Sequence, residues 1–279
     1  MNSAQKPLVI YHAGCPDGVT AAWVVKKRFG DVDLHPGRYG EPPPDVTNRD
    51  VYVVDFSYPR AVLEQMYARA FCLHVFDHHA SARKDLEDLG YCEFDLNRSG
   101  AGITWDRLFA GRERPLVVDY VEDRDLWRYA LPKSREVNAY LALCSGSVEA
   151  VVSVSKTPLI DLVAKGGAIL EYLSHYAEQV AATARECLFE GHRSAVVNAA
   201  YERRSEVLEL LNNNGFDIAI GWNQDADGSF RYSLRTQRDD IDVSLLAKHY
   251  GGGGHKKAAG FETRELMKFP PWVGNEPLA

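Results

Sequence analysis

Residues 12–18 read HAGCPDG and place an imidazole, a thiol and a carboxylate close together as His12, Cys15 and Asp17. Further along, Asp55 closes the run VYVVDF, Asp77, His78 and His79 close CLHVFDHH, and VEDRDLW carries Glu122, Asp123 and Asp125. Imidazole nitrogens mixed with carboxylate oxygens suit Mn²⁺ first, with Zn²⁺, Co²⁺ and Mg²⁺ as alternatives. A carboxylate bridging two such ions would hold a hydroxide for in-line attack on phosphorus. Adjacent histidines at a strand end must point different ways, so one ring can bind a metal while the other faces a ligand. A neighbouring carboxylate can fix the ring tautomer. Cys15 is open between two readings, a soft thiolate ligand or a small buried thiol.

The second unusual stretch is GGGGHKKAAGF from residue 251. A helix C-cap accounts for one glycine but not four. Gly252, Gly253 and Gly254 would let backbone N–H groups approach an anion, and His255, Lys256 and Lys257 would add charge. Arg235, in the strand-like SLRTQ, is either a fork for phosphate or a solvated strand arginine. Neither a GxGxxG nor a GxxxxGK phosphate loop is present.

These residues need elements that bring them together. VIYH, VYVVDF and CLHVFDHH are short β-branched runs ending in Asp or His, and GVTAAWVVKKRF and PRAVLEQMYARA between them read as helices, the second opened by Pro59. That alternation predicts parallel strands with crossover helices, whose carboxyl ends gather ligands at one edge. GEPPPDV is a surface loop, because three prolines fit neither helix nor central strand. SGAGITWDRLF reads as a turn into a short helix. A long helix is expected within 151–190, and its exposed face could serve a homodimer. Beyond it SAVVNA, FDIAIGWNQ and FRYSLRTQ read as strands, the last two joined by a DADG turn, with helices over SEVLELLNNNG and VSLLAKHY.

The 279 residues suffice for two domains, and the net charge of −7 disfavours duplex DNA as a partner while leaving a small anionic ligand open. No apolar run reaches membrane-spanning length. Five cysteines without a CxxC pair fit a reducing cytoplasm better than a disulfide framework.

Together, HAGCPDG, VVDF, FDHH, VEDRDLW and GGGGHKKAAGF resemble the DHH phosphoesterase superfamily, and the C-terminal part is similar to its DHHA1 domain. The superfamily includes RecJ-like exonucleases, nanoRNase-type oligoribonucleases, cyclic dinucleotide phosphodiesterases and family II pyrophosphatases. The resemblance implies an α/β fold: a parallel-sheet DHH domain over 1–150, a helical connector over 151–190 and a smaller α/β DHHA1 domain over 191–279, with a cleft between the lobes. It implies that His12 and position 15 bind a first metal, Asp17 and His78 a second, and that Asp55 bridges them. Asp77 would stand behind the histidines, His79 would face the scissile phosphate, and the last acidic ligand would be Asp123, with Asp125 as fallback. Cys15 departs from the family's usual Asp, which leaves open whether one or two ions bind.

The expected function is hydrolysis of phosphate esters in small nucleotides or short single-stranded oligonucleotides by a metal-bound hydroxide, in the cytoplasm. The alternative is a nucleotide sensor whose catalysis is weakened at Cys15. Pyrophosphatase activity is disfavoured because no dense basic cluster lies near the C-terminus.

Overall fold

The computed structural model describes residues 6–144 and 146–272 and divides into two compact units, Met1–Leu170 and Glu171–Ala279. The first unit begins with β1 (Leu8–His12), α1 (Pro16–Phe29), β2 (Asp33–Gly37), β3 (Asp50–Val54), α2 (Arg60–Arg69), β4 (Cys72–Asp77), α3 (Ala80–Leu86) and β5 (Cys92–Phe94). It continues with α4 (Gly100–Leu108), α5 (Leu116–Asp125), α6 (Ser134–Leu141), α7 (Val148–Val154) and α8 (Leu159–Ala181), the last running across the division.

Its five strands form a wholly parallel sheet in the order β2-β1-β3-β4-β5. Side chains alternate faces along a strand, and here both faces are apolar. Val9, Tyr11, Tyr52, Val54 and Phe76 enter one core with α1, α4 and α5, while Leu8, Ile10, Val51, Val53, Leu73 and Val75 enter the other with α2. The expected strands and crossover helices are therefore present, and α2 starts at Arg60, with Pro59 at the N-cap. β2, sequence DLHPG, was not expected from the sequence, because Pro36 argues against a strand. Its position at the sheet edge is where proline is tolerated.

The second unit holds β6 (Arg185–Phe189), β7 (His192–Asn198), α9 (Arg204–Asn213), β8 (Ile218–Gln224), β9 (Phe230–Arg235), α10 (Val243–His249), β10 (Gly253–His255) and β11 (Ala258–Thr263). Its mixed sheet runs β10-β11-β9-β8-β7-β6, with only β7 and β8 parallel. Val196, Ile218, Ile220, Tyr232 and Leu234 fill one face, and Ala195, Val197 and Ala219 pack under Val207, Leu208 and Leu211 of α9 on the other. Cys15, Cys72, Cys92 and Cys187 are free thiols, and the side chain of Cys144 lies outside the described residues. Among the described residues no helix is long and apolar enough to cross a membrane.

Candidate metal centre

Asp55 follows directly on β3 with φ 53°, a left-handed conformation that is uncommon for a residue with a Cβ. Its backbone N–H donates to the Phe76 carbonyl of β4 at 2.9 Å, so the neighbouring strand holds the turn. α4 covers it closely: a Cβ at Gly100 would stand 2.5 Å from the Asp55 Cβ. The carboxylate is 1 % exposed, and each oxygen faces a different group. Oδ2 lies 3.5 Å from His12 Nδ1, and Oδ1 lies 3.2 Å from His78 Nε2. His78 Nε2 is also 3.8 Å from Asp17 Oδ2 and 3.4 Å from Asp125 Oδ2.

Two ligand sets therefore share Asp55: His12 with His79, and Asp17 with His78, each set with its donor atoms within 4.8 Å of one another. Donors bound side by side at ~2.1 Å from an ion stand about 3 Å apart. The separations here approach that spacing, and several exceed a hydrogen bond. His12 Nδ1 and both Asp55 oxygens are buried with no hydrogen-bond partner among the described residues. Leaving such groups unsatisfied costs roughly 1–3 kcal/mol each, which a bound cation would offset. The donor set thus fits divalent ions.

The charges agree. Burial alone would lower the His78 pKa, but contact with Asp55 and the charges of Asp17 and Asp125 raise it to about 10. Burial, then Asp55, raises Asp125 to about 6. Burial together with Asp55 and Asp125 pushes Asp17 well above the carboxylate range. Asp55 is the exception: burial would raise it, yet His12 and His78 hold it below its ordinary value. The cluster holds more carboxylate than cation can balance.

Neighbouring elements fix the donors. Asp17 accepts N–H from Gly100 (2.6 Å) and Ala101 (2.9 Å) at the N-terminus of α4, which Ser99 caps through Gly102 N. Asp77 is fully buried and accepts from Ser57 Oγ (2.5 Å), His78 N (2.7 Å) and His79 N (3.2 Å). Its Oδ1 also lies 2.6 Å from His79 Nδ1, orienting that ring, so Asp77 positions the histidines from behind.

Three sequence expectations change. Asp123 does not face the cluster: its carboxylate accepts N–H from Ala130 (2.9 Å) and Leu131 (3.3 Å), while Asp125, the fallback, meets His78. On α5 the two residues are ~200° apart around the axis, so only one can point inward. His79, expected at the phosphate, joins the His12 set, whereas Cys15 belongs to neither set. Burial and the carboxylates of Asp55, Asp17 and Asp125 raise the Cys15 pKa well above its ordinary value. Tyr39 was not expected from the sequence. Its ring stands edge-on to His12 at 5.6 Å and rests on Phe56 at 4.8 Å, while the residue as a whole is exposed. Its only sequence signal is an aromatic residue in a glycine- and proline-rich loop.

In the second unit, His255, Ala258, Arg235 and Ala219 lie in cross-strand register, as do Gly253, Gly260, Ser233 and Gly221. Residues in register share a face, so Arg235 and His255 flank a floor of small residues on the side that carries α9. Among the described residues the Arg235 guanidinium makes one hydrogen bond, from Nη1 to the Leu234 carbonyl, and burial lowers its pKa. The fork of Arg204, by contrast, is spent on the Ala199 carbonyl, Ser233 Oγ and Asn223. Lys256 is exposed in the β10–β11 turn, near Asp239 and Asp242. Packing explains most of the glycine run: Gly251 has φ 78° past α10, and a Cβ at Gly252 or Gly254 would stand 2.1 Å or 2.6 Å from carbonyls of the facing strand. Gly251 and Gly253 open onto space, and of the two only Gly253 has no positive φ.

Residues 180–270 match the DHHA1 domain family. Over 93% of its length the chain is 26% identical to an uncharacterized protein of Acanthamoeba polyphaga mimivirus, covering 68% of that protein. A 33-residue stretch, 12% of the chain, is 67% identical to oligoribonuclease NrnB of Bacillus subtilis and covers 8% of it. Among solved structures, the pGpG-specific phosphodiesterase PggH of Vibrio cholerae superposes with a TM-score of 0.56 at 14% identity, over 92% of this chain and 93% of that one. RecJ of Thermus thermophilus in complex with Mn²⁺ gives a TM-score of 0.57 at 16% identity, over 92% of this chain and 49% of that one.

Proposed function

We propose that this chain, a DHH-superfamily protein with a C-terminal DHHA1 domain, is a divalent-metal-dependent phosphoesterase that hydrolyses short oligoribonucleotides or small nucleotides. The observation that carries the reading is the Asp55 carboxylate. It is buried and without a hydrogen-bond partner among the described residues, and its two oxygens are turned to two separate sets of donors. Asp55 would bridge two ions, His12 and His79 serving one and Asp17, His78 and Asp125 the other. Bound divalent ions would activate water at neutral pH and neutralise charge on phosphoryl oxygens, with Mn²⁺ the best match to this donor mixture.

The protein's own contribution is to hold these donors and to bind the substrate. Asp77 fixes the His79 ring, and the amides of α4 hold Asp17. In the second unit Arg235 and His255, above the floor at Gly253, are suited to grip a phosphate, and Lys256 adds nearby positive charge. Two of the similar proteins, an oligoribonuclease and a pGpG-specific phosphodiesterase, act on nucleotides, which supports a nucleotide substrate. A hydrolase is favoured over a sensor because His79 completes the first donor set without Cys15.

The test is product release from di- to pentaribonucleotides, linear and cyclic dinucleotides, 3′-phosphoadenosine 5′-phosphate and pyrophosphate, each with Mn²⁺, Mg²⁺, Co²⁺ or Zn²⁺. Metal-dependent release of nucleotide or phosphate from a nucleotide substrate supports the reading. Binding without turnover across the panel would return the protein to the sensor class.

A further inference from the structure

Two residues beyond Asp125, Trp127 is 54 % exposed, although tryptophan is among the side chains that most gain from burial. Its backbone has φ 55°, and that of Tyr129 has φ 47°. Left-handed conformations at residues with a Cβ cost about 1–3 kcal/mol each and persist only where the surroundings impose them. Asp123 imposes them here. Its carbonyl accepts N–H from Arg128 (2.8 Å) and Tyr129 (3.3 Å), and its carboxylate accepts those of Ala130 and Leu131. Trp127 N–H is held by the Arg124 carbonyl at 2.8 Å. Arg128 reaches back to the Asn97 carbonyl and to Glu122. Tyr129 meets the Trp127 ring edge-on at 5.1 Å, with the Arg135 guanidinium 4.3 Å over the tyrosine ring.

The buried carboxylate that the sequence suggested as a ligand thus ties down a hydrogen-bonded loop on which an indole stands exposed. The Cα atoms of Trp127 and Asp125 are at most ~7 Å apart, and the Asp125 carboxylate touches the candidate metal ligand His78. We propose that Trp127 is the base-stacking platform of this site, taking the nucleobase of the nucleotide whose phosphate lies at the metal centre. The assignment rests on the phosphoesterase reading and specifies the substrate class as one that carries a base. Because the loop is already fixed, stacking costs little ordering, and it tolerates any base because each has a π-face.

The test measures calorimetric binding of AMP and of ribose 5-phosphate, its base-less counterpart, to the Mn²⁺-loaded protein. Trp127→Ala and Trp127→Phe are compared with wild type, and thermal unfolding verifies their folds. Wild type should bind AMP more tightly. Trp127→Ala should lose ~10- to 100-fold of AMP affinity, the range for stacking on one base. Ribose 5-phosphate affinity should not change, and Trp127→Phe should recover most of the loss. Equal wild-type affinity for the two ligands, or an equal loss on both in Trp127→Ala, overturns the platform while leaving the phosphate site standing. Failure of both ligands to bind wild type overturns the phosphoesterase site and the platform with it.

Discussion

Exchanging the two neighbouring carboxylates of α5 for amides separates structural from metal-binding work within a single turn. Asp123 is 4 % exposed, and its two oxygens accept the N–H groups of Ala130 and Leu131. Asp123→Asn keeps one acceptor and turns an NH₂ group toward the other donor. A hydrogen bond to a charged group is worth about 1.5–3 kcal/mol, so this buried site should lose ~2–3 kcal/mol. At about 2–4 °C per kcal/mol for a unit of this size, the melting temperature in EDTA should fall by ~4–12 °C. Asp125→Asn breaks no such bond. It removes one of three carboxylates crowding His78, so the metal-free melting temperature should hold or rise. Its cost is metal affinity: changing even an outer partner of a ligand lowers affinity by 10- to 100-fold, and a ligand should cost at least ~100-fold. Thermal melts in EDTA and calorimetric Mn²⁺ titration read the two effects. The reasoning is refuted if Asp123→Asn melts like wild type and loses Mn²⁺, or if Asp125→Asn binds Mn²⁺ like wild type.

Cys15→Ser should retain the wild-type number of bound Mn²⁺ ions, because the thiol stands outside both donor sets; loss of one ion in elemental analysis would restore Cys15 as a ligand. Gly100→Ala drives a Cβ into Asp55 and should cost the ~1–3 kcal/mol of an overpacked core, read as a lower melting temperature, together with a weaker Mn²⁺ titration. The His78 pKa lies above its unfolded value, so its contribution to metal-free stability is full below pH 6.5 and is lost as pH rises toward about 10. The raised Asp125 contribution is full below about pH 4 and gone above about 6. Metal must displace these protons, so Mn²⁺ affinity should climb from pH 6 to 8, and a flat titration profile would count against the cluster.

Most of this site could be read from the sequence because strand ends display it. β1, β3 and β4 are β-branched runs that stop at or just before His12, Asp55 and His78, and a parallel sheet aligns such ends. The misreadings have physical causes. Residue type cannot say which of Asp123 and Asp125 faces inward, since both lie on α5 and only packing sets the helix rotation. β2 hides behind Pro36, and Tyr39 follows β2. The glycine run suggested an anion loop, but a tight approach of β10 to β11 requires two of its members for reasons of space. The division between units is invisible for another reason: α8 crosses it without a break in helical pattern.

The central claim is that Asp55 organises a metal centre that cleaves phosphate esters. Its most direct test is nucleoside monophosphate release from a short oligoribonucleotide by Mn²⁺-loaded wild type and by Asp55→Asn, with folding verified by thermal unfolding. The account predicts release by wild type that chelation abolishes, and none above background from the folded variant. Release that survives chelation, or that Asp55→Asn sustains at the wild-type rate, would contradict it.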